Sequence, residues 1–522
     1  MGVWYLVPIL VFLAGPALAE EQIPDSLRHL AVQHNGRVKP LDSYAWEVLD
    51  QVTGKPRFGS ADPVQTVLSI MAMPGEWQEK LLVSVPYGPL RAPLGLGPKQ
   101  THISYDQLVG ERKLMKMLPA IVEKQDRSEK LTILENETMD VFERFVALTG
   151  LIQQKLALVP AGREWKPITE SPEFQPGWER VIAAAREGDA AAVERAAADL
   201  SRRLRELGGA AYPAPWRLRW EVLYNRAAPF KAARALYLLA ALAFLLALRR
   251  GAAERPASRA AMGLFALAFL VHGAGIASRV VLGERPPVSN FYETMLWLPF
   301  VAAALALVFE RVYRVRYFGL SAGILAAITL LLADHLPLDS SISPVVAILR
   351  SNLWLTIHVL TIVASYGALA LATVLAHVYG VMALARRPAA ELIPLDTFLY
   401  RTIQVGVVLL ASGIMLGGVW ANASWGRYWG WDPKETWALI TMLWFLAVLH
   451  GRFVGWLKGT AVALATIGGF FLLLMTYYGV SFYLVGLHSY AGGNAKPFPP
   501  LLIAYLAAEM AFMSAVWYIE SR

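Results

Sequence analysis

From residue 232 onward the sequence is a succession of apolar segments, at 232–248, 260–281, 289–310, 317–333, 352–384, 395–420, 434–450, 460–487 and 498–519. Each is long enough, or nearly so, to cross ~30 Å of hydrocarbon, the first being marginal. Lipid offers no water to backbone N–H and C=O groups, so such segments must be helices. This constrains the chain to one class, an all-α polytopic membrane protein with about nine transmembrane helices. A hydrophobic content of 56% and 17 Trp in 522 residues agree with that class, because a soluble protein of this size is less apolar.

What precedes residue 232 is different. Residues 1–19 form a short apolar run ending Ala17-Leu18-Ala19 and followed by Glu20 and Glu21, the pattern of a signal peptide or of an uncleaved anchor. Residues 20–231 carry most of the charge and no run of 18 apolar residues, and read as an extracytoplasmic soluble domain, α+β or mostly helical. Short apolar runs such as Lys80–Pro86 alternate there with Gly and Pro, while 127–158 and 176–207 have helical periodicity. His29, His34 and His102 have no partners at ligand spacing and read as ordinary surface or partly buried histidines. The sequence has no Cys, which excludes thiol catalysis, a disulfide relay or covalent capture by a thiol of its own. The formal charge of +8 does not indicate nucleic acid, because the arginines lie mainly in short loops between apolar segments. One set of loops holds Arg249, Arg250, Arg255, Arg259, Arg311, Arg314, Arg316, Arg386, Arg387, Arg452 and Lys458. The opposite set holds only Arg285, Arg350, Arg427, Lys434 and Lys496. The positive-inside rule puts the first set in the cytoplasm, and the soluble domain and the loop near 430 outside.

That loop contains Trp425-Gly-Arg-Tyr-Trp-Gly-Trp-Asp-Pro-Lys-Glu-Thr-Trp437, with 4 Trp in 13 residues. Aromatic rings gather at membrane boundaries, and an interfacial belt is the plain reading. Mixed with Gly, Asp, Lys and Glu, the same rings also suit a flat platform for a flat, largely apolar ligand. Asp432-Pro433-Lys434-Glu435 reads as a helix start, with Asp432 as N-cap and Glu435 at N3, so these two acids read as capping groups rather than ligand contacts. Histidine within a membrane marks function. His358 and His488 fall at the outer ends of their helices, level with the tryptophans, and two neutral imidazoles beside an aromatic platform suit bis-axial ligation of a haem iron. His450 lies roughly 26 Å deeper along its helix. His377 matches that depth better than His272 does, and both read as interhelical hydrogen bonders rather than ligands. His335 falls in an outer loop.

The stretch 425–437 with Leu449-His450 resembles the WWD signature of the CcsA family of system II cytochrome c biogenesis. The likeness extends to Pro287-Val-Ser-Asn-Phe-Tyr-Glu293 and Trp354-Leu-Thr-Ile-His358, and covers about 260–520. Gly36-Arg-Val-Lys-Pro-Leu-Asp42 resembles the exported region before CcsA in fused CcsB–CcsA proteins. The resemblance implies a haem-handling transmembrane domain, 232–522, with an external WWD stretch at 420–437. It implies external iron ligands at His358 and His488, a deep ligand at His450, and haem contacts from Trp425, Trp429, Trp431, Trp437, Asp432, Arg427 and Lys434. A second deep ligand would come from a CcsB-like membrane subunit, or from His377 or His272. The implied function is transfer of ferrous haem b across a bacterial cytoplasmic (inner) membrane and its covalent attachment to the Cys-x-x-Cys-His segment of an apocytochrome c. That is a holocytochrome c synthase (haem lyase) role, with thiol-reducing thioredoxin-like proteins as further partners. Rival readings are a haem exporter or chaperone serving a separate ligase, and a non-haem transporter with an aromatic gate.

Overall fold

The computed structural model describes residues 24–248, 254–336, 338–344, 353–488 and 499–521. The 1–19 signal segment and the loop cations Arg249, Arg250, Arg350 and Lys496 lie outside the described residues. The described chain forms two compact units, one holding 24–227 with 341–344 and the other the remainder.

In the second unit and its approach, nine helices among the described residues are long and apolar enough to cross a membrane: Pro215–Ala247, Arg255–Gly283, Phe291–Tyr313, Tyr317–His335, Leu353–Leu384, Ala389–Trp425, Pro433–Phe453, Thr460–Tyr483 and Pro500–Glu520. They fall where the apolar segments predict, with two extensions. The first begins well before 232 and is interrupted at Ala228, whose φ of 41° is left-handed. The sixth runs for 37 residues, roughly 55 Å, and so carries Trp425 as its last residue. Leu353–Leu384 is the centre of the bundle, with 78% of its most apolar stretch buried against 11% for Pro500–Glu520. It packs along Ala389–Trp425 and also touches Phe291–Tyr313, Tyr317–His335, Thr460–Leu474 and Pro500–Glu520.

Polar side chains fix the helix ends. Glu310, buried at the end of one helix, accepts the backbone N–H groups of Arg316, Phe318 and Gly319 at 2.7, 2.9 and 3.1 Å, and so satisfies the orphan donors at the start of the next. At the Pro287–Glu293 motif, Asn290 caps the Phe291–Tyr313 helix by accepting from the Glu293 N–H at 2.8 Å. The buried Glu293 carboxylate receives Arg279 at 3.0 Å and Arg285 at 2.7 Å. The Thr460–Tyr483 helix contains a π-turn at Met475–Gly479. Thr476 there donates to the Trp437 carbonyl, and Tyr477 exchanges a hydrogen bond of 2.6 Å with Thr294.

The first unit is α+β. Strands Ala31–His34 and Arg37–Pro40 form a hairpin, extended by Ala157–Val159 and Lys166–Pro167 into an antiparallel sheet, and Leu81–Ser84 pairs with His102–Ser104. The helical regions appear as Ile133–Ile152 and as the pair Gln175–Glu187 and Ala190–Gly208, parted at Gly188. Leu27, Leu30, Leu49, Ile70, Leu158, Trp178 and Leu200 lie in the core. The Gly36–Asp42 motif supplies that unit with paired charges. Arg37 forms a two-pronged bond to Glu221 at 2.6 and 2.7 Å, and Lys39, fully buried, pairs with Glu47. Burial holds the Lys39 amine below its ordinary pKa, against the opposing pull of Glu47. Asp42 and Asp62 each receive one arm of Arg28 at 2.6 Å.

Candidate functional site

The Asp-Pro-Lys-Glu quartet starts the Pro433–Phe453 helix as its residue types dictate. Asp432 Oδ1 accepts from the Lys434 N–H at 2.9 Å, and Glu435 Oε2 accepts from the N–H groups of Asp432 at 3.1 Å and Gly430 at 2.8 Å. Asp432 does more than cap. Its Oδ1 also accepts from His488 Nδ1 at 2.9 Å, and its Oδ2 from the Leu487 N–H at 2.6 Å. The loop after the eighth helix is thereby clipped to the start of the seventh. A Cβ on Gly486 would stand 2.5 Å from Asp432 Oδ2, so this close approach requires glycine. Burial alone would raise the Asp432 carboxyl, but the bonds from His488, Lys434 and Leu487 outweigh it and hold the carboxyl below its ordinary value.

His358 is placed from the other side. Its Nδ1 donates to the Gly413 carbonyl at 2.8 Å. Its ring lies against Gly417, where a Cβ would come within 2.6 Å of Cε1. The two imidazoles are thus held by acceptors on Nδ1, which fixes the proton there and leaves Nε2 with its lone pair. Trp420 neighbours both, its ring centroid 6.5 Å from that of His358 and nearly parallel to it, and 6.4 Å from that of His488. Trp425 packs edge-on to both Trp420, at 4.6 Å, and His488, at 5.7 Å.

Three buried donors at this site find no acceptor among the described residues: Trp420 Nε1, Trp429 Nε1 and Arg427 Nη1. A buried N–H without an acceptor is costly, and such donors fit a ligand that brings anionic oxygens. Arg427 leans on the Trp425 ring at 5.8 Å and lies 3.6 Å from Glu435. Trp429 meets Trp431 edge-on at 5.7 Å. Trp431 is largely exposed and has a left-handed φ of 57°, an unusual backbone for a bulky side chain.

The remaining candidates sit elsewhere. Lys434 Nζ donates to the Tyr477 carbonyl at 3.2 Å and Ser481 Oγ at 2.9 Å, and so anchors the π-turn of the neighbouring helix. Trp437 makes no ring contact with the other tryptophans among the described residues, and its carbonyl receives Thr441 and Thr476 at 2.8 and 2.9 Å. His450 is exposed, with Nδ1 turned back to the Leu446 carbonyl at 2.7 Å. His377 makes the interhelical bond its sequence predicts. Its Nδ1 donates to the Thr373 carbonyl at 2.8 Å, its Nε2 faces the Glu509 carboxylate at 2.9 Å, and its ring stacks on Phe512. His272 is fully buried among Phe230, Tyr237 and Phe300, 3.4 Å from the Tyr237 hydroxyl. Among the described residues, no hydrogen bond or ring contact joins His450, His377 and His272.

Sequence reasoning passed over Trp420, which reads as one more apolar residue in a span. It also passed over the glycines that let the His358 helix come close, Gly417 against His358 and Gly413 against Ile362. Two helical glycines inside an apolar span are the signal for a close approach there.

Among the described residues, nine helices long and apolar enough to cross a membrane, with a histidine-lined aromatic site at one end, define a multi-pass membrane protein. A family model described as cytochrome C assembly protein matches residues 288–488. CcsA of Guillardia theta is 36% identical over 256 residues, 42% of this chain and 84% of that protein. CcsA of one Prochlorococcus marinus strain is 34% identical over 269 residues, 44% and 82% respectively. Protein NrfI of Wolinella succinogenes is 32% identical over 502 residues, 88% of this chain. The chain spans 54% of the length of NrfI. The chain belongs to the CcsA family of cytochrome c biogenesis proteins.

Proposed function

We propose that this protein holds haem b, as substrate, at an external site between His358 and His488 for attachment to an apocytochrome c. One observation carries the reading: both rings neighbour Trp420 and both have Nδ1 fixed on a protein acceptor, which leaves two Nε2 atoms for one iron. Trp420, Trp425 and Trp429 offer faces and edges to the macrocycle. Arg427 and the free indole N–H groups offer partners for its carboxylates. A Cys-x-x-Cys-His segment would meet a ring already fixed in face and rotation. Each thiol then adds across one vinyl group, sulfur to the carbon beside the ring and hydrogen to the outer carbon, with no net redox change. The protein's part is to hold the geometry, which is the part of a holocytochrome c synthase. His450, facing out of the bundle, would serve a deeper haem with a second ligand from a CcsB-like subunit. His377, committed to Thr373 and Glu509, is not used as that ligand.

The test is the optical spectrum of the purified full chain, alone and with a CcsB-like subunit. Parent protein is expected to carry six-coordinate, low-spin b-type haem. His358→Ala and His488→Ala are expected to lose that spectrum and cytochrome yield, with partial return on adding imidazole. Retention of parent spectrum and yield by both variants would overturn the assignment. Normal haem binding with no attachment to a co-expressed apocytochrome would favour the exporter reading.

A further inference from the structure

The two histidines are held alike in geometry but not in chemistry. His358 gives its Nδ1 proton to a neutral peptide carbonyl, that of Gly413 at 2.8 Å. His488 gives its own to the carboxylate of Asp432 at 2.9 Å. A carboxylate draws the proton harder, so the imidazole beyond it carries more negative charge and is the stronger donor to a metal. The same contact governs where each ring can go. His488 stands on a loop, yet Asp432 grips that loop twice, through Nδ1 of His488 and through the N–H of Leu487 at 2.6 Å. Asp432 is itself fixed by its cap on Lys434. His358 has one hydrogen bond, to the helix beside it, with Gly417 packed against its ring.

We infer that the external site is built unequal: through Asp432, His488 is the retained ligand of the haem iron, and His358 is the one that the histidine of the incoming peptide replaces. The inference rests on the proposed ligation by these two residues. In the exchange the bond from iron to His358 Nε2 breaks and a bond to the peptide imidazole forms. One neutral imidazole replaces another, so neither electron nor proton is gained or lost. His488 then holds the iron while the thiols add, and its bond is the last to break on release. Asp432 acts as a positioning residue in this scheme, since it touches neither haem nor peptide.

The experiment uses the full-length protein with the haem that co-purifies, reduced with dithionite. In His358→Ala the iron keeps only His488, and in His488→Ala only His358. The iron–histidine stretch in resonance Raman is expected at higher frequency in His358→Ala than in His488→Ala. Adding Asp432→Asn to His358→Ala should lower it to the His488→Ala value. Asparagine caps a helix as well as aspartate does, so Asp432→Asn alone should accumulate normally while its haem midpoint potential shifts upward. A merely structural role for Asp432 moves neither signal. Equal stretches in the two single-histidine variants, or a stretch unmoved by Asp432→Asn, overturn the inference. Should a single-histidine variant lose its haem, the Asp432→Asn potential decides, and an unshifted value overturns it. Six-coordinate parent spectra in both histidine variants would instead sink the ligand assignment beneath it.

Discussion

Gly417→Ala isolates the position of His358 from everything else the residue does. The new Cβ would stand 2.6 Å from Cε1 and 2.9 Å from Nδ1, whereas carbon atoms in contact sit ~3.5–4.0 Å apart, so the ring must retreat by about 0.9 Å or more. That movement draws Nδ1 off the Gly413 carbonyl and carries Nε2 with it. The stability terms nearly cancel. Alanine in a helix interior gains about 0.5–1 kcal/mol over glycine, and overpacking costs about 1–3 kcal/mol. The net loss is about 2.5 kcal/mol at most, too small to empty the membrane of a protein with this many packed helices. The functional term does not cancel, because a ligand constellation tolerates ~0.5 Å of misplacement. The expected result is near-normal protein on immunoblots of membrane fractions, with the low-spin haem signal and the haem-stained cytochrome c both sharply reduced. Gly263→Ala, where a Cβ meets nothing within 4 Å, is the control and should change neither. Parent spectrum and yield from Gly417→Ala would refute the claim that His358 is held in place by this contact to serve the iron.

Trp429→Ala and Trp431→Ala should leave membrane levels near normal while lowering haem occupancy or cytochrome yield, since one boundary ring contributes ~1–3 kcal/mol of burial. Collapse of protein levels in both would return the stretch to an interfacial belt. Arg28→Ala should do the reverse. It strands the buried Asp42 and Asp62 carboxylates, a loss of ~3–5 kcal/mol, so protein should fall in blots with the haem spectrum of the survivors intact. Glu509→Gln should loosen the Pro500–Glu520 helix, by ~0.6–1.7 kcal/mol on the scale of intramembrane hydrogen bonds, read as a lower thermal midpoint. An unchanged haem content in His377→Ala would agree, and loss of one haem would make His377 a ligand after all. His450→Ala should reduce haem in the complex with a CcsB-like subunit, and a full complement there would remove the deep site.

The spans were legible because lipid leaves the backbone no alternative to a helix, and nine runs of apolar residues survive any reading of detail. The helix start at 433 was equally legible, since Asp432, Pro433 and Glu435 each act within one turn. The boundaries that moved did so for reasons outside the local pattern. Residues 215–231 are too polar to read as part of a span, and Trp425 joins the sixth helix although Asn422 and Ser424 precede it. Within the site, the sequence could place His358 and His488 at one level but not show what holds them. The partners of His488 and His358 lie 56 and 55 residues away in the chain, and such pairings leave no periodicity. By its spacing Asp432 therefore read as a cap, which is half of what it does. Lys434 is a haem contact by the resemblance, whereas its side chain crosses to Tyr477 and Ser481.

The π-turn at Met475–Gly479 makes the eighth helix a matter of counting. Its i→i+5 bonds hold one residue more than an α-turn would. A single deletion between 475 and 479 would let the helix close into regular α form with the later residues nearly in phase. A single insertion has no such slack left to enter, and each α-residue is worth about 100° of rotation and ~1.5 Å of rise. The residues before the insertion would keep their neighbours. Those after it would be dialled round by about a quarter turn, taking Ser481 from Lys434 and the Gly486–His488 loop from Asp432. The length of this segment is thus exacting in one direction. A library that removes one residue there should keep working members, while one that adds a residue should keep almost none, although every side chain named in the site would still be present.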